Sequence, residues 1–250
     1  MKTKAFSIHD AAYNIRCMLY SGDAPAERVV IYCHGFAGHK GTRTAARFAE
    51  YMLPKYKNMA VLCFDWPCHG EDVRKKLCLA DCDAYLGAVI RYAKETLRAA
   101  ELDCYATSFG AYLLLKYAAE HGDPFRLIAL RSPAVNMYEV MTSLLTDADR
   151  AQIQKGREAA VGFDRKVGVG AAFLAELRDA DITGIDYKAL ADTMLIMHGE
   201  RDEIVPFAAV SAFAERNGID LIPFPKADHR FSDPKLMTEA IQYIEAFFEC

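Results

Sequence analysis

Apolar residues along this chain come in short, nearly unbroken runs, and between the runs they recur every three or four positions. Val29-Val30-Ile31-Tyr32-Cys33, Met59-Ala60-Val61-Leu62-Cys63-Phe64 and Leu102-Asp103-Cys104-Tyr105-Ala106 have strand length. Runs apolar on both faces suit strands buried inside a parallel sheet. Arg126–Arg131, Met194–Met197 and Ile219–Phe224 repeat the pattern, and residues 4–9 and 14–20 predict an N-terminal strand pair. Helical spacing predicts helices over 41–55, ending at Pro54, and over 81–100, opened by an Asp-rich cap. Three more are predicted over 109–121, over 206–217 and from Pro234 onward. Strands that alternate with helices predict an α/β fold: a mostly parallel, twisted sheet of about eight strands flanked by helices.

Residues 135–190 interrupt the alternation. They separate two strands that one helix would normally join, and they mix charge with Met137, Tyr138, Met141, Leu144, Leu145, Phe163, Phe173, Leu174 and Leu177. Roughly 50 residues make a marginal core alone, so a small helical insertion within one 1–250 domain is expected. An insertion after a strand's C-terminal end lies where open α/β sheets bind ligands, which predicts a cap.

Composition narrows the function. The 250 residues are 52% hydrophobic and 26% charged, enough for one substantial core. A net charge of −4 supplies neither a nucleic-acid footprint nor a polybasic membrane patch. No apolar run approaches the roughly 20 residues of a membrane span, and no apolar stretch follows Met1–Ser7 as in a secretory signal. Cys33, Cys63 and Cys104 fall in strand runs and read as small buried hydrophobes; with no C-x-x-C among the 8 cysteines, a reducing, cytoplasmic setting is expected. The seven histidines lack metal-ligand spacing and no glycine-rich nucleotide loop is present, so no metal or cofactor is expected. The oligomeric state is left open.

The chemistry gathers at strand ends. Ser108 follows a strand and opens a helix, with Ala106 and Gly110 two residues to either side. Small residues there let strand and helix pass closely while a strained serine projects its hydroxyl. His34-Gly35-Phe36-Ala37-Gly38 follows an earlier strand, and the Phe36 N–H with the Phe109 N–H would bind a developing oxyanion. Asp202 stands after Met194–Met197 on a loop that Pro206 can close into a helix, with Glu200 and Glu203 as chemical rivals. His229 lies between the last strand and the last helix, where imidazole suits a general base. The chain order Ser108, Asp202, His229 is a recurring triad order. Trp66 and His69 are expected to pack and shape their loop.

These segments, with Phe64-Asp65-Trp66-Pro67-Cys68-His69-Gly70, resemble the α/β-hydrolase superfamily over nearly the whole length. The H-G-F-x-G loop and Ala227-Asp228-His229-Arg230-Phe231 resemble small bacterial esterases of the cinnamoyl and feruloyl type. Ala106 departs from the glycine usual in that elbow and implies a tighter turn. The resemblance implies a serine esterase acting on small-molecule esters, of hydroxycinnamoyl or short acyl groups, with no nucleic-acid or membrane partner. Tyr138, Met141, Leu145, Phe163 and Phe173 are expected to line the substrate pocket. A thioesterase or small peptidase on the same triad, and a non-catalytic binding protein of this fold, are the alternatives.

Overall fold

Alternating side chains divide the central strands between two cores. In the computed structural model, which describes residues 1–10, 13–162 and 165–249, Val29, Ile31 and Cys33 pack into one core and Val30 and Tyr32 into the other. That two-sided burial accounts for the unbroken apolar runs. The elements follow the chain as β1 Lys2–Asp10, β2 Tyr13–Ser21, β3 Arg28–Cys33, α1 Arg43–Met52, β4 Met59–Phe64, α2 Leu79–Glu95, β5 Glu101–Thr107, α3 Phe109–His121 and β6 Leu127–Arg131. They continue as α4 Met137–Ser143, α5 Asp147–Gln154, β7 Ala159–Val161, β8 Val167–Val169, α6 Ala171–Asp179, a 3-10 turn at Lys188–Thr193, β9 Met194–Gly199, α7 Phe207–Asn217, β10 Asp220–Phe224 and α8 Pro234–Phe248.

Eight strands form one sheet in the order β1-β2-β4-β3-β5-β6-β9-β10. β1 and β2 pair antiparallel and β2 runs antiparallel to β4, while every remaining pair is parallel. The loops that leave β3, β5, β6, β9 and β10 therefore open at one edge. α1 and α8 cover one face with Phe48, Met52, Ile241 and Phe248. α2, α3 and α7 cover the other with Tyr85, Val89, Leu114 and Phe213. Pro223 stands in the edge strand β10, where a missing N–H costs no ladder bond.

Two sequence expectations need correction. α2 begins at Leu79, and its first N–H is met by the Glu176 carboxylate at 2.7 Å. The cap comes from α6, about 100 residues away, while Asp81 instead pairs with Arg74 at 2.6 Å. The segment between β6 and β9 is not purely helical: β7 and β8 form an antiparallel hairpin. Strands of three residues are too short to leave a period in the sequence. Among the described residues, no helix is long and apolar enough to cross a membrane.

Candidate active site

Ser108 sits at φ 51° and ψ −117° between β5 and α3. A non-glycine residue keeps such a backbone only when its surroundings over-determine it. Here the Ser108 N–H donates to Arg131 O at 3.1 Å, and its carbonyl accepts from Ala111 and Tyr112 at 3.0 and 3.1 Å. Close approach does the rest: a Cβ on Gly110 would lie 2.5 Å from the carbonyl oxygens of Cys33 and His34. Ala106 is accommodated with no exposed surface beside Cys33 in the β3–β5 ladder.

The loop after β10 brings His229 to this serine. The Ser108 hydroxyl donates to His229 Nε2 at 3.0 Å, and His229 Nδ1–H donates to Asp202 Oδ2 at 2.7 Å. The other Asp202 oxygen accepts from the Ile204 and Val205 N–H groups at 2.9 and 2.8 Å. Burial works against the Asp202 charge. The hydrogen bond and positive charge from His229, together with the two backbone donors, outweigh it and hold the carboxyl below its ordinary value. Neither Glu200 nor Glu203 makes this bond to His229. An ionised acceptor on Nδ1 leaves the Nε2 lone pair facing Ser108.

The Gly35–Gly38 turn packs against the same serine, since a Cβ on Gly35 would lie 3.2 Å from Ser108 Cβ. Gly38 N–H donates to Gly35 O at 3.0 Å, with Ala37 at φ 59°. Neither the Phe36 nor the Phe109 N–H meets a turn, loop or cap acceptor among the described residues. Phe109 opens α3, so its N–H has no partner within the helix. Behind the turn, His34 Nδ1–H donates to Gly35 O at 2.8 Å, and the Trp66 indole N–H donates to His34 O at 2.9 Å. Burial keeps His34 neutral, its pKa far below the ordinary imidazole value. His69 Nδ1–H donates to Pro67 O at 2.8 Å, its ring lies nearly parallel to Phe109, and burial pushes its pKa down to about 4.

Three supports escaped the sequence reading. Arg131 donates to the Tyr105 hydroxyl at 3.0 Å and to His229 O at 3.2 Å, and its guanidinium stacks over the Phe231 ring. Ser132 Oγ–H donates to the same His229 carbonyl at 3.0 Å. Asp65 accepts from Lys40 N at 2.6 Å, Lys40 Nζ at 3.1 Å and Glu71 N at 2.9 Å, which ties the loop after β3 to the loop after β4. Arg131 did carry a signal: it is a cation at the end of a buried strand.

Ser108 and His229 open into a cavity of about 390 Å³. One wall is α4 with the turn after it, through Met137, Val140 and Leu144. The expected wall of Tyr138, Met141, Leu145 and Phe173 is absent from the lining. Met141, Leu145 and Phe173 are buried in the core, and Tyr138 packs against it from a partly exposed position. For Tyr138, Met141 and Leu145 the difference is one residue in register, since each step along a helix turns the side chain by about 100° and i and i+1 face apart, whereas Phe173 sits on α6, which contributes none of the described lining. Phe163 lies outside the described residues.

Residues 28–173 match the family model for the alpha/beta hydrolase fold. Among curated protein sequences none matches the chain. Among solved structures, Est1E from Butyrivibrio proteoclasticus with ferulic acid bound is similar at a TM-score of 0.76 and 22% identity, covering 98% of this chain and 100% of that one. Mouse alpha/beta hydrolase domain-containing protein 10 is similar at 0.75 and 14%, covering 98% of each chain. A thermostable carboxyl esterase from Bacillus coagulans, in complex with glycerol, is similar at 0.72 and 13%, covering 100% of this chain and 98% of the other. At these identities the likeness is one of fold.

Proposed function

The chain belongs to the alpha/beta hydrolase fold family, and from that premise we propose that it is a serine hydrolase that cleaves carboxylic esters through an acyl-enzyme, without a cofactor. The observation that carries the reading is the run of two hydrogen bonds from Ser108 Oγ through His229 to Asp202. In the proposed reaction Ser108 Oγ attacks the ester carbonyl carbon while His229 Nε2 takes the hydroxyl proton. Asp202 stays ionised and stabilises the imidazolium. The Phe36 and Phe109 N–H groups receive the carbonyl oxygen as it becomes an oxyanion. The tetrahedral adduct collapses, the C–O bond to the alcohol breaks, and His229 returns its proton to the departing alkoxide. Water then attacks the acyl-enzyme with the same base, releasing the carboxylic acid and restoring Ser108.

The segment between β6 and β9 acts in this reading as a cap that contacts the substrate through Met137, Val140 and Leu144. The fold shared with Est1E and with the carboxyl esterase supports the ester class. p-Nitrophenyl acetate is expected to be turned over by the wild type, and Ser108→Ala to lower kcat by roughly 10⁴-fold or more. A fluorophosphonate probe is expected to label wild type and spare the variant. Turnover unchanged in Ser108→Ala sinks the reading.

A further inference from the structure

The cavity beside Ser108 is charged in one sense. Arg43, Arg131, Arg165 and Arg230 all line it, and no Asp or Glu is among its described lining residues. The chain as a whole carries −4, so this rim opposes the overall charge. Several arginines elsewhere pair with carboxylates, Arg28 with Asp103, Arg74 with Asp81, Arg91 with Asp10 and Arg178 with Asp179, whereas others, such as Arg150 and Arg216, meet only backbone carbonyls among the described residues. Lys40, next to the cavity, is neutralised by Asp65 and Glu71. Among the described residues, Arg43, Arg131 and Arg165 have no carboxylate within the 4.0 Å of an ion pair.

The charges come from both sides of the reacting serine. Arg43 is the first residue of α1, and its neighbours Thr42 and Thr44 line the cavity with it. Arg165 reaches over from the segment between β7 and β8 and donates to Gly70 O at 3.4 Å. Burial and then the Arg165 charge lower the pKa of His39, which lines the same side. Arg131 and Arg230 stand on the His229 side, Arg131 buried and Arg230 exposed. Guanidinium groups around a partly apolar cleft focus a positive potential and present paired N–H donors to a carboxylate or phosphate.

We propose that the substrate of this site is an anionic ester, one whose acyl or alcohol portion carries a carboxylate or phosphate that Arg43 and Arg165 receive. The proposal rests on the ester-hydrolase reading and adds the charge of the substrate to it. Held there, the anion would orient the scissile carbonyl toward Ser108 and the Phe36 N–H, while the uncharged part of the acyl chain lies against Met137, Val140 and Leu144.

The test pairs p-nitrophenyl glutarate, charged at its far end, with p-nitrophenyl pentanoate, of equal length and neutral. The wild type is expected to favour the glutarate in kcat/KM by about tenfold at low salt. That preference is expected to shrink toward parity in about 0.5 M NaCl, and likewise in the double variant Arg43→Gln/Arg165→Gln. A wild type with no preference, or a preference that both the double variant and salt leave intact, overturns the proposal. Competition against p-nitrophenyl acetate by glutarate and by inorganic phosphate identifies which anion the arginines prefer. If neither ester is turned over, the hydrolase reading fails, and calorimetric binding of glutarate then decides the anion proposal alone. Binding weakened at least about fivefold in the double variant supports it, and no binding to wild type rejects it. Both side chains are exposed, and should the double variant not fold, the salt dependence of the wild type decides the proposal by itself.

Discussion

The floor and the wall of the cavity are built by different forces. On the floor, directional hydrogen bonds hold each member of the proposed triad: Asp202 by two backbone N–H groups, the His229 carbonyl by Arg131 and Ser132, and the Ser108 N–H by Arg131 O. The α4 wall presents Met137, Val140 and Leu144, whose apolar side chains have only packing to place them. Hydrogen bonds fix position to fractions of an ångström, whereas packing tolerates exchange of shape at similar volume. In the proposed reaction chemistry and specificity are thereby separated in the fold, and perturbations of the two regions are expected to read out differently.

The largest break is expected on the floor. Asp202→Asn keeps the shape but loses the charge that stabilises imidazolium and the acceptor that sets the tautomer. It is expected to lower kcat by about 10³ to 10⁴-fold with little change in KM. Steady-state kinetics on p-nitrophenyl acetate checks this, and a loss below about tenfold would show that Asp202 does not position His229.

Gly110→Ala attacks the floor sterically. The added methyl would sit 2.5 Å from two backbone oxygens, which have no rotamer with which to yield. A loss of roughly 3 kcal/mol is expected in urea unfolding. A variant of unchanged stability would mean that α3 can move away from β3, and that the elbow is looser than its contacts imply.

Under the floor lies an acid-sensitive support. His69 is buried and its pKa is pushed down to about 4, so it takes up a proton less readily folded than unfolded. Its neutral form therefore supports the fold fully above the ordinary imidazole range, and that support is lost as pH falls from about 6.5 toward 4. His69→Phe is expected to shrink the stability difference between pH 7 and pH 4.5 by roughly 2 kcal/mol. Denaturant midpoints at the two pH values measure it. An unchanged difference would assign the acid sensitivity to other groups, such as His34.

The same division decides what could be read from the sequence. Ser108, Asp202 and His229 stand in local motifs at strand ends, and the buried strands β3, β4 and β5 announce themselves by composition. The wall was legible only as an amphipathic stretch. Tyr138 and Met141 carry as much apolar surface as Met137 and Val140, so composition could not say which side of α4 turns inward. The Glu176 cap on α2 and the Asp65 clasp on Lys40 join residues far apart in the chain, which no local pattern records. The Arg131 brace had a local sign, a cation ending an apolar strand, whose meaning depends on the β10–α8 loop lying above it.

The smallest effect belongs to the wall, and it tests the comparison most directly. Leu144 lines the cavity and is only partly buried, whereas Met141, three residues earlier, is wholly enclosed. Leu144→Ala should therefore enlarge the pocket without opening the core. Its expected signature is a shift of about fivefold in the kcat/KM ratio of hexanoyl to acetyl p-nitrophenyl esters, with unfolding stability changed by less than about 1 kcal/mol. Met141→Ala should do the reverse, since it leaves a cavity inside the core and removes nothing that faces the substrate. If instead Leu144→Ala lowers turnover of every ester alike, the wall positions the floor, and the separation of chemistry from specificity fails at α4.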